Sequence, residues 1–368
     1  DGSITGVLST SGGNSILGVP ATVGQVQVDG TGVSQILGTV NGTSVATGGG
    51  LLVSQGGTFN GNVSTTNLSG GGNLQISGAT SVTGDVINDG STTVLNGGAN
   101  SLTLAGSGIY TNTGTTVIRD NATLSAVTIN NNGGQISVGT GASLIGTGNT
   151  LNNNAAIVVN DGGTVMDAGA INNNATGSFD FIGSGTFNAD SDNDGDTVEN
   201  AGTIFSRDGG GHTITLGDGV ADVFNNLGTG NVTIGGSDTF SGTATTFNNA
   251  GALNFGPGST MSIAQLNNTT GNLAIDGAAT LSVPGGLDSD GTLSFQDGAT
   301  NDMLTINGNT DLSGTLRFDA DLSGVTDTAD FLDVNGTVSS SAPLTLAFNN
   351  AGASIGSITT AIDLLEYD

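Results

Sequence analysis

The chain contains no cysteine, no tryptophan and no lysine, and its one histidine is His212. Lack of cysteine excludes disulfide staples and thiol catalysis. It leaves the compartment open, because a long repeat array can bury enough core without staples. A single histidine gives a Ser-His-Asp site only one choice of base. His212 lies in GGGHTITLG, a glycine run that reads as a turn, and no G-x-S-x-G elbow accompanies it. It is read as structural.

The only cations are Arg119, Arg207 and Arg317, set against 31 acids for a formal net charge of -28. Glu199 and Glu366 are the only glutamates, so the acidity is almost entirely aspartate. Such a surface repels nucleic acid, whose binding needs Lys and Arg on phosphates, and it repels anionic membranes. Self-repulsion of this size is relieved by salt or divalent cations, which suits an extracellular setting. Sugar clefts built on aromatic platforms are disfavoured by the two tyrosines, Tyr110 and Tyr367, and the missing tryptophan. No stretch of 18 apolar residues occurs. The opening DGSITGV has neither the charged nor the apolar segment of a signal peptide, so export and anchoring parts are expected outside this sequence.

Glycine is abundant, 66 of 368 residues, with only four prolines. Valine, isoleucine, threonine and leucine recur between the glycines, which separates the chain from disordered sequences of similar polarity. The composition is that of an all-β protein made of many short strands and Gly, Asn and Asp turns. No proline-rich linker or block of like charge divides it, so one elongated body is expected.

The organising feature is a repeat: an apolar residue, an Asn-rich step, a glycine turn, then an alternating strand. INNNGGQISVG starts at Ile129, LNNNAAIVVNDGG at Leu151 and INNNATGSFDFIGSG at Ile171. VENAGTIFSRDGG, FNNLGTGNVTIGG, FNNAGALNFGPGS, LNNTTGNLAIDGA and LDSDGTLSFQDGA follow from Val198, Phe224, Phe247, Leu266 and Leu287. Looser copies begin at Leu68 and Tyr110. A period near 20 with strands and turns alone is one rung of a single-stranded parallel β-helix, a β-solenoid with rungs of about 20 residues. Alternation sends one face of each strand inward. Asparagine on successive rungs is expected to form a hydrogen-bonded ladder. Roughly 17 coils at about 4.8 Å would make a rod on the order of 80 Å long. Phenylalanine concentrates at Phe179, Phe181, Phe187, Phe205, Phe224, Phe240, Phe247 and Phe255, predicting an aromatic stack in the core.

The sharpest local motif is DSDNDGD, residues 190–196, in the longest repeat interval. Asp190, Asp192 and Asp194 followed by Gly195 match the opening of a calcium loop, where alternate carboxylates converge on one hard cation. Asp196 adds a further acid. The twelfth position is Ala201, so Glu199 is the nearest acid to close the loop. A calcium site on these five residues and a solvated insertion loop at 188–200 are the two readings. Asp288 with Asp290, Asp319 with Asp321, and Asp327, Asp330 and Asp333 lack full spacing and are read as solvated turns. No catalytic residue is assigned. The alternative is a carbohydrate-active β-helix enzyme using paired aspartates on adjacent rungs.

The segment 301–348, NDMLTINGNTDLSGTLRFDADLSGVTDTADFLDVNGTVSSSAPLTLAF, resembles the C-terminal part of autotransporter passenger domains. The match rests on a strand pair, an Asp-rich stretch and a D-x-L-x-V-x-G strand, here Asp330, Leu332, Val334 and Gly336. It implies residues 301–368 as a cap like the passenger autochaperone region, following a repeat body over 1–300. It further implies export to the surface of a Gram-negative bacterium and a structural or adhesive role, non-enzymatic. Self-association or a host or cell-surface glycan or protein would be the partner. Membrane attachment would run only through a C-terminal barrel absent from this sequence.

Overall fold

The computed structural model describes residues 3–65, 71–89, 92–188, 197–207, 210–217, 221–321, 328–352 and 364–367. The described secondary structure is all strand, stacked as a parallel β-solenoid with rungs of about 22 residues. The chain divides into two compact units, Asp1–Asp192 and Asn193–Asp368.

In the first unit most coils contribute three short strands, which continue three parallel sheets, while Ser3–Leu17 and Thr22–Ile36 are long strands and Thr123–Asn131 and Ser143–Asn153 each run through two of the sheets. One sheet runs through Val63–Thr65, Val86–Asn88 and Ile109–Asn112, with Tyr110 in register with Ile129, Ile129 with Leu151 and Leu151 with Ile171. A second aligns Ile118, Val138, Val159 and Phe181. A third aligns Leu102, Leu124, Leu144, Val165 and Phe187. The starts read from the sequence therefore fall one above another, except at Leu68. That residue lies outside the described set, and the position below Val86 is held by Val63.

The second unit repeats the arrangement. Val198, Phe224, Phe247, Leu266 and Leu287 form one column. Ile204, Val232, Leu253, Leu273, Leu293 and Leu316 form another, and Ile214, Phe240, Met261, Leu281, Ile306 and Val334 the third. The strands Met303–Asn307, Thr310–Leu312 and Thr315–Asp321 continue these three sheets directly. Strict alternation explains the core: Leu253 and Phe255 are buried while Ala252 and Asn254 between coils face outward.

The INN and FNN signatures resolve into an in-out-in step. Ile129 enters the core, Asn130 faces out, and Asn131 returns inward at the corner. There the amide nitrogens of Asn88, Asn112, Asn131 and Asn153 each donate to the carbonyl oxygen of the next asparagine, ending at Asn173, over 2.7–2.9 Å. Their second N–H bonds go to backbone carbonyls that open the following strand, as from Asn153 to Ser178 at 3.1 Å. In the second unit Asn200, Asn226, Asn249 and Asn268 do the same, ending on the Ser289 hydroxyl at 3.1 Å. A buried amide left unpaired costs more than a neutral hydrogen bond returns, so each ladder locks the rung register.

Where a glycine follows the asparagine pair, it has a steric reason. A Cβ on Gly271 would stand 2.2 Å from the Asn249 amide nitrogen, and one on Gly291 would stand 2.4 Å from the Gly271 carbonyl oxygen. These two corners leave no room for a side chain.

The phenylalanines do not make one continuous stack. Phe224 and Phe247 stack face to face at 4.5 Å, whereas Phe179 and Phe187 meet edge-on at 4.8 Å. Phe240 lies over Met261 and Phe255 over Ile275, so the column is interrupted by aliphatics. Phe205 falls on the outward phase of its strand, between buried Ile204 and Ser206. Tyr110 is wholly buried, with its hydroxyl 2.6 Å from the Thr116 hydroxyl, and burial pushes its pKa up to about 12.

Candidate functional site

Asp190, Asp192, Asp194 and Asp196 lie outside the described residues. Glu199 sits in the strand Thr197–Asn200, where its carboxylate accepts the Asn225 amide N–H at 2.7 Å. That bond begins an outward ladder in which Asn248 donates to Asn225 and Asn267 donates to Asn248, each at 2.8 Å. In the first unit Asn130, Asn152 and Asn172 are linked the same way at 2.9 and 3.0 Å. Each unit thus carries a flat polar stripe of amides beside the buried one.

Toward the C-terminal coils the stripe changes chemistry. Asn267 is in register with Asp288, and Asp288 with Asp311. The two carboxylates border an open groove of about 220 Å³ with Gln265, Asn309 and Ser339. Their environments pull in opposite directions. Partial burial, then the charges of Asp290 and Asp311, raise the Asp288 pKa. The backbone N–H of Ser341, followed by the Ser313 hydroxyl, lowers that of Asp311.

The acidic positions read as solvated turns are not all solvated: Asp319 and Asp330 are fully buried. Both serve as acceptors for backbone N–H groups that the coil corner would otherwise strand. Asp330 accepts from Asp319 at 2.6 Å and from Asp302 at 3.2 Å. Asp319 accepts from Asp297 at 2.9 Å, Gly298 at 2.6 Å and the Asn349 amide at 2.6 Å. Burial pushes the Asp330 pKa up to about 7, against those hydrogen bonds and with the charges of Asp302 and Asp319 adding to it. Asp288 and Asp290 are exposed, but Asp288 lies on the strand Leu287–Ser289, not in a turn. Asp333 and Asp321 are half-buried, and Asp327 lies outside the described residues.

Next to this pair stands a group that the sequence reading did not single out. Asp276, Asp297 and Asp302 each bring a carboxylate oxygen within 4.8 Å of the others. Asp276 and Asp297 open Asp-Gly turns on successive coils and are exposed, while Asp302 is 2% exposed. Asp302 accepts the Gly277 N–H at 2.7 Å through Oδ1, and its buried Oδ2 has no hydrogen-bond partner. Burial, with the charges of Asp297, Asp276 and Asp319 adding to it, pushes its pKa up to about 6. The repeated D-G turns at 276–277 and 297–298 were the available signal, but only the rung register shows that they meet.

His212 donates its backbone N–H to the buried Asp238 carboxylate at 2.8 Å, a corner bond of the same kind. A groove of about 440 Å³ in the first unit is open and bordered by Leu51, Gln75 and Arg119.

These features define the class: an all-β parallel solenoid with amide-laddered corners and acidic terminal coils. No family model matches the chain, and no curated protein is similar to it. Among solved structures it is similar to the TibC-catalysed hyper-glycosylated TibA fragment, at 15% identity and a TM-score of 0.36, over 94% of this chain and 98% of that one. A similarity of that size does not extend to function.

Proposed function

We propose that this chain is the surface-displayed, structural or adhesive part of an exported Gram-negative protein, of the autotransporter passenger type. The observation that carries the proposal is the regularity of the outward faces. Amide stripes run rung over rung in each unit, and in the second unit the stripe that starts at Glu199 leads to the open groove bordered by Asp288 and Asp311, a surface suited to repeated shallow contacts. The resemblance at 301–348 supports it, since its Asp330, Leu332 and Val334 are all buried in the terminal coils. A Cβ at Gly336 would stand 2.5 Å from the Gly308 carbonyl oxygen, which accounts for the last residue of that motif. Calcium at Asp190–Asp196 with Glu199 belongs to the same reading, as a regulator of self-association.

The test is binding of the purified chain to immobilised matrix proteins and a glycan array, with light scattering and negative-stain microscopy in calcium and in chelator. Saturable binding or ordered assembly is the expected result. Isolated particles that bind nothing would overturn the proposal.

One observation favours a second reading, a carbohydrate-active enzyme. Asp288 and Asp311 are stacked on adjacent rungs in one groove with pKa values driven apart, the arrangement that assigns an acid and a base. Release of reducing ends from neutral polysaccharides by the wild type, lost in Asp311→Asn, would establish it in place of the first.

A further inference from the structure

We infer that Asp276, Asp297 and Asp302 form a calcium site that joins the turns of two successive coils, separate from the 190–199 segment. The first ground is convergence: three carboxylates from three chain positions bring oxygens within 4.8 Å of one another. Ligand oxygens around one calcium ion lie 2.3–2.6 Å from it, hence at most about 5 Å apart, so three oxygens this close fall within reach of one ion after side-chain shifts of a few tenths of an ångström. The second ground is independent of acidity. Oδ2 of Asp302 is an acceptor taken out of water and given no donor, and native proteins seldom leave such an atom without an ion or a water.

The donors are held in place by bonds that do not use that atom. Gly277 N–H fixes Oδ1 of Asp302, and Asp330 holds the Asp302 backbone. Asp319 holds the backbone of Asp297 and Gly298, while Ala299 N–H pins Oδ1 of Asp297 at 2.7 Å. The all-oxygen donor set is that of a hard cation; softer metals prefer sulfur and imidazole. Two of the carboxylates are exposed, leaving room for the water ligands that complete a six- to eight-coordinate shell. Magnesium's short, strictly octahedral shell suits three turn-borne side chains less well.

The test is equilibrium dialysis of the full chain against calcium chloride after chelator treatment. It compares wild type with Asp302→Asn, Asp297→Asn and a variant carrying Asp192→Asn and Asp194→Asn. Asparagine at 302 keeps an acceptor for Gly277, and Asp297 is exposed, so circular dichroism should match the wild type in both. The expected result is loss of one bound calcium per chain in Asp302→Asn and at least tenfold weaker binding at that site in Asp297→Asn. In the 192/194 variant this site should be retained. Wild-type stoichiometry and affinity in both folded Asp297→Asn and Asp302→Asn would overturn the inference, as would a wild type that binds no calcium.

Discussion

Replacing Asn153 by alanine tests the physical basis of the rung register. Asn153 accepts the Asn131 amide N–H at 2.8 Å and donates to Asn173 at 2.9 Å and to the Ser178 carbonyl at 3.1 Å. Alanine removes these bonds, and the one from the Ala155 N–H at 3.4 Å, at a corner with no exposed surface, so the Asn131 N–H loses its Asn153 acceptor while the Asn173 and Ser178 oxygens each lose a donor. At about 1–3 kcal/mol for each buried group left without a partner, and with the corner relaxing in part, the cost should be about 3–5 kcal/mol. Asn172 is the internal control. It makes the same type of amide bond, to Asn152 at 3.0 Å, but on the outward stripe where water replaces the partner. Its replacement by alanine should cost under about 1 kcal/mol. Coils of a solenoid can open separately, so the measurement of choice is native-state hydrogen exchange, not a single unfolding midpoint. Amides of Ala156–Val159 and Ser178–Phe181 should exchange about a hundredfold to a few thousandfold faster in Asn153→Ala, since 1.4 kcal/mol is about a factor of ten. They should barely change in Asn172→Ala. Equal effects from the two substitutions would refute the claim that desolvation makes the inner ladder the register lock.

Two further outcomes follow from the same geometry. Gly271→Ala should destabilise the second unit by about 2–4 kcal/mol, because its methyl group meets the Asn249 amide and the Gly251 carbonyl oxygen, whereas Gly298→Ala finds open space and should act only through its φ of +97°; urea unfolding of the two variants compares them. Tyr110 should remain un-ionised at pH 11 in a Tyr367→Phe background when followed by ultraviolet difference absorbance, because burial holds its pKa near 12. The folded-state pKa is raised, so ionisation is favoured in the unfolded chain. Stability should therefore fall as pH rises from about 10 toward 12.

The fold was legible because it is local and repeated. Most strands show their inward and outward phase within four or five residues, and an Asn-rich step marks one corner of most coils, so rung starts could be placed from the sequence and fall in column within each unit. The phenylalanine stack was only half legible, since composition counts rings but the phase of each strand decides which point inward; Phe205 shows this.

What the sequence by itself determined is the class of architecture, the amide ladders, the acidic surface and the absence of thiol chemistry, all consequences of residue type and period. What only the tertiary structure decided is which acids meet. Asp276, Asp297 and Asp302 lie up to 26 residues apart, and Asp319 and Asp330 look like ordinary loop aspartates until the coils are stacked. The physical reason is that burial and charge proximity depend on a register summed over whole rungs. Irregular corner lengths shift that register by a few residues, enough to turn a solvated carboxylate into a buried backbone acceptor.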